Sequence, residues 1–308
     1  MKLSKPIIPT IGKSTKFMQN QYSSIPVKLF FLILFGIGSS VHAQLIPAPL
    51  HLENSKGTFS PDEKSTIAFS SQWILLWQDE FDYQGKPDVT KWSFAPRKSA
   101  DWACYCADND STTYVKEGNL HLRAVLNTNP LDTVKYNTGC IRTTDKFSFK
   151  YGKIEVRAKL GKGKGSWPAI WMMPQDPNYG GWPHSGEIDI MEHLNFDSFV
   201  YQTLHSNYID IQEKKEHPPY FTTVPFKADT YNVYGVEWYP DRLDFFVNGK
   251  KTFTYPKIEN ANSQQWPFDQ EFFIILDQAL GGSWVGNIND EDLPVEMLVD
   301  WVRVYQKN

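Results

Sequence analysis

Apolar and polar residues alternate with a period close to two along most of the chain from Trp73 onward. In "GKIEVRAKL" (152–160), Ile154, Val156 and Ala158 alternate with charged side chains, as expected of a strand with one solvated face. The same alternation returns in the later segments 231–239, 243–255, 271–276 and 297–306. No helical period persists for three turns, so the pattern predicts an all-β sandwich of two antiparallel sheets.

The first 43 residues have the pattern of a secretory signal peptide. A lysine-bearing, acid-free start leads into the apolar run "LFFLILFGIG", and Val41 and Ala43 form a cleavage site of small residues. The apolar run is only about half as long as a bilayer span, which disfavours a membrane anchor. If translation starts at Met18, the signal peptide has an ordinary length. We expect a secreted or periplasmic protein with a lead or linker over 44–72 and one domain over 73–308.

Composition and charge narrow the partners of this domain. The chain has 308 residues, 41% of them hydrophobic and 15% aromatic, which is enough for one large core. Without the five lysines of the signal, 26 basic residues stand against 35 acidic ones, a net charge of about −9. Nucleic acid and anionic membranes are therefore poor partners. Three cysteines remain, and we expect one bridge from Cys104 or Cys106 to Cys140.

Three acidic residues interrupt an apolar run in "SGEIDIMEHLNFD". Glu187 and Asp189 share one face of a strand, whereas Glu192 would point into the core by the same parity. A buried, unpaired glutamate is costly. A β-bulge near Ile190 and Met191 would return Glu192 to the face of the other two acids and align three carboxyl groups in a row.

Such a row suits the hydrolysis of a glycosidic bond. Two carboxyl groups about 5–5.5 Å apart across a sugar ring are the equipment of a retaining glycosidase: one attacks the anomeric carbon and the other protonates the leaving oxygen. Repulsion within the row raises the pKa of at least one member, which supplies an acid that is protonated near neutral pH. The alternatives for three such acids are a solvated strand face or a calcium-binding loop.

The segment "EIDIME" resembles the E-x-D-x-x-E signature of glycoside hydrolase family 16, in its laminarinase, agarase and endo-β-galactosidase branch. The resemblance covers residues 73–307 and includes "FSFKYGKIEVRAKLGKGKGSWPAIWMMP" and "VYGVEWYPDRLDFFVNGK" in the same order. It implies a concanavalin A-like jelly roll with an open cleft on the concave face, and a monomeric, endo-acting, retaining enzyme. It also implies that Glu187 is the nucleophile, Asp189 its supporting acid and Glu192 the general acid/base.

Side chains outside the acidic strand are candidates for holding the glycan, because aromatic rings stack on the apolar faces of sugars. The candidates are Trp102, Trp167, Trp171, Trp182, Trp284, His205 and Arg142. Trp167 and Trp171 share a face by parity. His205 could donate to Glu192 or to substrate, and Arg142 could reach substrate hydroxyls or pair with an acid.

By the same resemblance, one structural calcium ion would bind on the convex side of the sandwich, away from the cleft. Its ligands would come from the segments around Glu80, Gly118 and Asp300, with oxygen atoms that suit a hard cation. Hydrolysis itself is expected to need no metal or other cofactor.

Two departures from the laminarinase pattern leave the substrate open. The segment "SADWACYCADND" lacks the Asn and Glu of the corresponding laminarinase segment, and Asp277 and Gln278 stand where laminarinases tend to have Asn and Leu. Two substrate classes remain nearly level: β-1,3 or mixed-linked glucan, and the β-1,4-galactosidic bonds of mucin-type O-glycans or poly-N-acetyllactosamine. Sulfated galactans rank third, since no dense basic patch lies near the acidic strand. The alternative is a non-catalytic carbohydrate-binding protein on the same jelly roll.

Overall fold

The computed structural model describes residues 73–308, so the expected signal peptide and the lead over 44–72 lie outside the described residues. Sixteen strands form within this range. They are β1 (Trp73–Asp79), β2 (Ser93–Phe94), β3 (Thr113–Lys116), β4 (Asn119–Leu126), β5 (Tyr136–Thr138), β6 (Cys140–Arg142), β7 (Gly152–Lys159), β8 (Ser166–Pro174), β9 (Glu187–Glu192), β10 (Phe199–His205), β11 (Phe221–Pro225), β12 (Asn232–Trp238), β13 (Arg242–Val247), β14 (Lys250–Pro256), β15 (Phe272–Leu280) and β16 (Val295–Lys307). Short helical turns lie at Asp101–Ala103, Asn207–Ile211 and Asp290–Asp292. Among these residues, no helix is long and apolar enough to cross a bilayer.

The strands form two antiparallel sheets. The nine-stranded sheet has the order β14–β13–β12–β7–β16–β4–β3, with β1 also paired to β16 and β5 to β4. The seven-stranded sheet has the order β11–β10–β9–β8–β15–β6–β2. The predicted all-β sandwich is confirmed.

The alternation that predicted the strands decides which side chains enter the core. On β7, Ile154, Val156 and Ala158 are fully buried, while the residues between them are partly exposed. The Asn248-Gly249 pair has positive φ at both residues and closes the hairpin of β13 and β14, as the sequence predicts.

The core lies between the sheets, and the outer face of the seven-stranded sheet forms the floor of a cleft. Strand β15 is buried along its whole length because both of its faces are covered. Phe272 and Ile274 belong to the main core, whereas Phe273 and Ile275 pack with Trp171 beneath the cleft.

A disulfide joins the segment before β3 to the strand β6. Cys106 and Cys140 are bonded, with their Cα atoms 5.6 Å apart, and Cys104 is a free thiol. The expected single bridge to Cys140 is therefore confirmed. It packs with Ala103 and Trp102, so it fixes the loop that carries this tryptophan against the sheet.

The residue before the acidic strand has to be a glycine. Gly186 has a φ of +82°, and a Cβ there would lie 2.8 Å from Cγ of Pro267 and 3.0 Å from a ring carbon of Phe268. An L side chain would be strained in this backbone conformation and would also clash. Gly186 thus lets the chain enter β9 close to the core.

We predict that Gly186→Ala lowers the free energy of unfolding by about 1–3 kcal/mol, through strain and the contact with Pro267. Gly181→Ala, in the same loop, is the matched control because its Cβ would meet nothing within 4 Å. Urea unfolding of both variants measures the difference. Equal stability of the two would contradict the proposed constraint at Gly186.

Candidate active site

The three acids lie on one face of β9 because this strand contains a bulge. On β8, Ala169 pairs with Glu192 and Trp171 pairs with Asp189, so two residues of β9 lie opposite one residue of β8. The pairing with β10 shifts at the same place. The predicted bulge at residues 190–191 is confirmed, and Ile188, Ile190 and Met191 are fully buried on the core side.

The strand register arranges the residues that face the cleft in rows across the seven-stranded sheet. The row through Asp189 contains Arg142, Ile275, Trp171, Asp189, Thr203 and Phe221. The row through Glu192 contains Asp277, Ala169, Glu192 and Tyr201. On the opposite side of the Asp189 row, Glu187 pairs with His205. All these side chains line one cleft of about 890 Å³.

Every glycan-binding residue that the sequence suggests lines this cleft. These residues are Trp102, Trp167, Trp171, Trp182, Trp284, His205 and Arg142. Trp182 and Trp284 are 57% and 48% exposed, so their rings are open to a ligand. Trp171 is only 5% exposed and forms part of the floor, where its indole N–H donates to Asp277 over 2.7 Å.

Each outer acid of the row accepts a hydrogen bond from an indole. Trp182 Nε1 donates to Glu187 Oε2 over 2.6 Å, and Trp167 Nε1 donates to Glu192 Oε1 over 3.0 Å. Trp284 packs edge-on against Trp167, with ring centroids 5.5 Å apart. The tryptophans therefore hold the acids in position as well as forming the walls.

Burial raises the pKa of all three acids, but their neighbours differentiate them. For Glu192, burial and the charge of Glu187 raise the pKa to about 7. Burial and both flanking glutamates raise the pKa of Asp189 well above its ordinary value. Burial also raises the pKa of Glu187, opposed by the charge of His205 and by hydrogen bonds from Trp182 and Asp189. The ionised form is thus best supported at Glu187, with a protonated Asp189 donating to it.

His205 lies between two carboxyl groups. Its Nε2 is 3.4 Å from Asp189 Oδ2, and its Nδ1 is 3.1 Å from Asp210 Oδ1. Burial lowers the pKa of His205, but the hydrogen bond with Asp210 and the nearby glutamate charges outweigh it and raise the pKa to about 9. Asp210 also accepts the backbone N–H of Ser206, which fixes it beside the imidazole.

Several cleft residues are not among the sequence candidates. They are Lys98, Tyr201, Tyr220, Phe221 and Asp277, together with Asp210 behind His205. Asp277 stood out in the sequence only as a departure from the laminarinase pattern. Asp210 follows β10 in a single π-helical turn, and no periodicity in the sequence indicates that turn. Tyr201 could have been found, because it pairs with Glu192 across β9 and β10.

Among the described residues, one set brings potential metal ligands close together, and a second set was predicted from the sequence. Glu187, Asp189 and His205 offer ligand atoms within 4.8 Å of one another, although cleavage by two carboxyl groups requires no metal.

The predicted calcium ligands lie on the nine-stranded sheet. There, β1 ends opposite Val302, and β4 begins next to Leu120, which pairs with Val299 of the same strand β16.

This register brings the predicted calcium ligands to one junction. Glu80 accepts two hydrogen bonds from Arg303, at 2.8 Å each, and Asp300 pairs with Arg157. Both carboxylates are thus paired with guanidinium groups, and a calcium ion would have to use their remaining lone pairs. The calcium ion itself stays a prediction.

Comparison with known proteins agrees with this geometry. The family model described as glycosyl hydrolases family 16 matches residues 103–303. The chain belongs to this family. Its sandwich is accordingly the predicted jelly roll, which the solved family members share.

Relatives of this family 16 chain act on different glycans. A keratan-sulfate endo-1,4-β-galactosidase of Sphingobacterium multivorum is 40% identical over 79% of this chain and 57% of its own length. A β-glucanase of Rhodothermus marinus is 34% identical over 76% of this chain and 85% of its own length. A solved structure from a study of endo-acting O-glycanases of human gut microbiota is 34% identical, with a TM-score of 0.67, over 76% of this chain and 100% of that chain. The match with the keratan-sulfate enzyme thus spans little more than half of that relative.

We predict that Asp210→Asn lowers the pKa of His205 from about 9 towards the value of a free histidine, about 6.5. Since the raised pKa favours protonated His205 in the folded state, its stabilisation is complete below about 6.5 and is lost as pH rises through about 9. NMR titration of the imidazole measures the shift. Asp241→Asn, an exposed acid on the other sheet, is the control, and an unchanged His205 pKa in Asp210→Asn would refute this role.

We also predict that a chelator lowers the melting temperature, because a calcium ion at the Glu80–Asp300 junction would stabilise only the folded state. Scanning calorimetry with calcium and with chelator tests this. Identical melting under both conditions would exclude a structural calcium ion.

Proposed function

We propose that the protein is a secreted, retaining endo-β-glycosidase that cleaves internal bonds of a galactose-containing glycan. The observation that carries the proposal is the row of three carboxyl groups on β9, which lines a tryptophan-walled cleft. A protein that only binds carbohydrate needs the aromatic walls but not three acids that repel one another. The non-catalytic alternative is therefore not favoured.

In this mechanism, Glu187 and Glu192 act on opposite sides of the bond that breaks. Glu187 attacks the anomeric carbon while protonated Glu192 gives its proton to the leaving oxygen, which forms a glycosyl-enzyme ester. Glu192, now ionised, then takes a proton from water as the water oxygen attacks the anomeric carbon and releases Glu187. Asp189 donates a hydrogen bond that stabilises the Glu187 carboxylate between turnovers, and His205 balances the negative charge of the row.

The proposal of a galactosidic substrate rests on two observations. The identity to the keratan-sulfate endo-1,4-β-galactosidase is 40%, against 34% to the β-glucanase. In addition, the cleft floor contains Asp277, which is buried against Trp171, where the laminarinase pattern tends to have an asparagine. The second candidate is β-1,3 or mixed-linked glucan, favoured by the match to the glucanase over 85% of its length.

Product analysis with purified mature protein separates these candidates. Keratan, gastric mucin, laminarin and barley glucan are each incubated with the enzyme, and product sizes are read chromatographically. We expect a ladder of oligosaccharides from keratan or mucin. A ladder from laminarin or barley glucan alone would transfer the assignment to the glucan class, and release of monosaccharide only would contradict endo cleavage.

Replacing each of the two glutamates should affect catalysis in a different way. Glu187→Gln removes the nucleophile and should abolish turnover while glycan binding remains. Glu192→Gln should lower kcat on natural glycans by roughly 10²–10⁴-fold, but much less on substrates with a good leaving group. In the unmodified enzyme, activity on natural glycans should fall as pH rises through about 7, where Glu192 loses its proton. A Glu187→Gln enzyme that still turns over, or a Glu192→Gln enzyme with the same alkaline limb, would overturn these roles.

A further inference from the structure

One arginine in the cleft differs from all others that the structure describes. Residues 73–308 contain six arginines, and five of them form ion pairs with carboxylates. The pairs are Arg97–Asp132, Arg123–Glu296, Arg157–Asp300, Arg242–Asp244 and Arg303–Glu80. Arg142 has no such partner within this range, and its Nε is buried without a hydrogen bond. Of the two roles that the sequence left open for Arg142, pairing with an acid is therefore wrong.

Arg142 lies at the end of the cleft that is remote from the acids. It belongs to the same row as Asp189 but three strands away, on β6, which corresponds to roughly 14 Å at about 4.8 Å per strand. Lys98 lines the cleft as well and, within the described part of the chain, has no carboxylate partner. The remaining wall here is largely apolar, with Trp102 and Ile275 among its side chains.

Two acids of this region, Asp277 and Asp101, make hydrogen bonds with other groups. Asp277 accepts hydrogen bonds from the indole of Trp171 at 2.7 Å and from the backbone of Ala279 at 3.2 Å. Asp101 accepts two hydrogen bonds from Ser283, at 2.6 and 2.7 Å. Neither acid forms an ion pair with Arg142 or Lys98, so the two cations face the cleft without a counterion from these side chains.

Lys98 is exposed, but Arg142 is a partly buried cation without a counterion, which is expensive, and an anionic ligand would remove that cost. The planar guanidinium binds the two oxygens of a carboxylate or sulfate at once, while the ammonium of a lysine adds a point charge. Neutral sugar hydroxyls can also accept from Arg142, but they gain much less from two positive charges beside an apolar wall.

We propose that the Arg142–Lys98 end of the cleft is a subsite for an anionic substituent of the glycan, either a sulfate ester or a carboxylate. The inference rests on the proposed glycosidase function and narrows its substrate class to acidic, galactose-containing chains. It also raises the rank of sulfated galactans, which the sequence placed third among the substrate classes. Two cations at the remote end of the cleft are enough for a single anionic group, without a dense basic patch near the acids.

Binding to the inactive Glu187→Gln variant tests the subsite without turnover. Calorimetry compares three oligosaccharides of one length: sulfated keratan, its chemically desulfated form, and a sialylated poly-N-acetyllactosamine. We expect one or both acidic ligands to bind about tenfold more tightly than the neutral one, with a difference that shrinks as salt increases. A preference for the sulfated ligand assigns a sulfate site, and a preference for the sialylated one assigns a carboxylate site.

Second substitutions show whether Arg142 and Lys98 cause the preference. Arg142→Gln should remove most of it, Lys98→Gln should reduce it, and Arg142→Lys should keep part of it because the charge remains. Arg242→Gln, which makes the same charge change on the other sheet, should leave it intact.

Equal affinity for acidic and neutral ligands in the Glu187→Gln parent would overturn the inference, and so would an equal loss for all three ligands in Arg142→Gln. If Arg142→Gln does not fold, the same comparison is made with Lys98→Gln, and an unchanged preference in that variant would overturn the inference.

Hydrolysis by the unmodified enzyme separates the two proposals. Cleavage of sulfated keratan, sialylated poly-N-acetyllactosamine and the desulfated chain with the same kcat/KM would keep the glycosidase function and refute the anionic subsite. Selective binding of acidic ligands without cleavage of any glycan would keep the subsite and refute the proposed function.

Discussion

The bulge in β9 is the constraint on which the site depends. A regular strand would place Glu192 in the core, among aliphatic side chains and without a cation. One extra residue at 190–191 turns its carboxyl group outward and leaves Ile190 and Met191 to fill the space beneath. The same distortion therefore completes the core on one side of the sheet and the acidic row on the other, so packing and chemistry cannot vary independently there.

Several surrounding side chains offset the electrostatic repulsion among the three acids. Indole N–H groups from Trp182 and Trp167 bind the outer carboxyl groups, and His205 with Asp210 places a positive charge next to the middle one. Poor hydration favours protons on the acids, whereas these donors favour ionisation, most strongly at Glu187. The result is a division of protonation states among residues of almost the same chemistry.

The sequence predicts those parts of the protein that follow from strand parity. Period two placed Ile154 in the core, put Trp167 and Trp171 on one face, and required a bulge before Glu192; the structure agrees in each case. Parity does not extend across loops or between strands that are distant in sequence. Asp210, in its π-helical turn, and the position of Arg142 in the row of Asp189 depend on sheet order and register, which no local pattern determines. The partner of Cys140 was likewise open between two cysteines until the loop geometry selected Cys106.

The disulfide has a consequence for how the cleft is assembled. Strands β8, β9 and β10, which carry the acids and their neighbours, contain no cysteine, so the acidic row can form from strand pairing alone. The wall at Trp102 is attached to the strand of Arg142 through Cys106 and Cys140, and such bonds form and persist under oxidising conditions. Oxidation of these two thiols thus acts as a maturation step for one end of the cleft: the acidic row needs only strand pairing, whereas the distant wall also depends on a covalent bond.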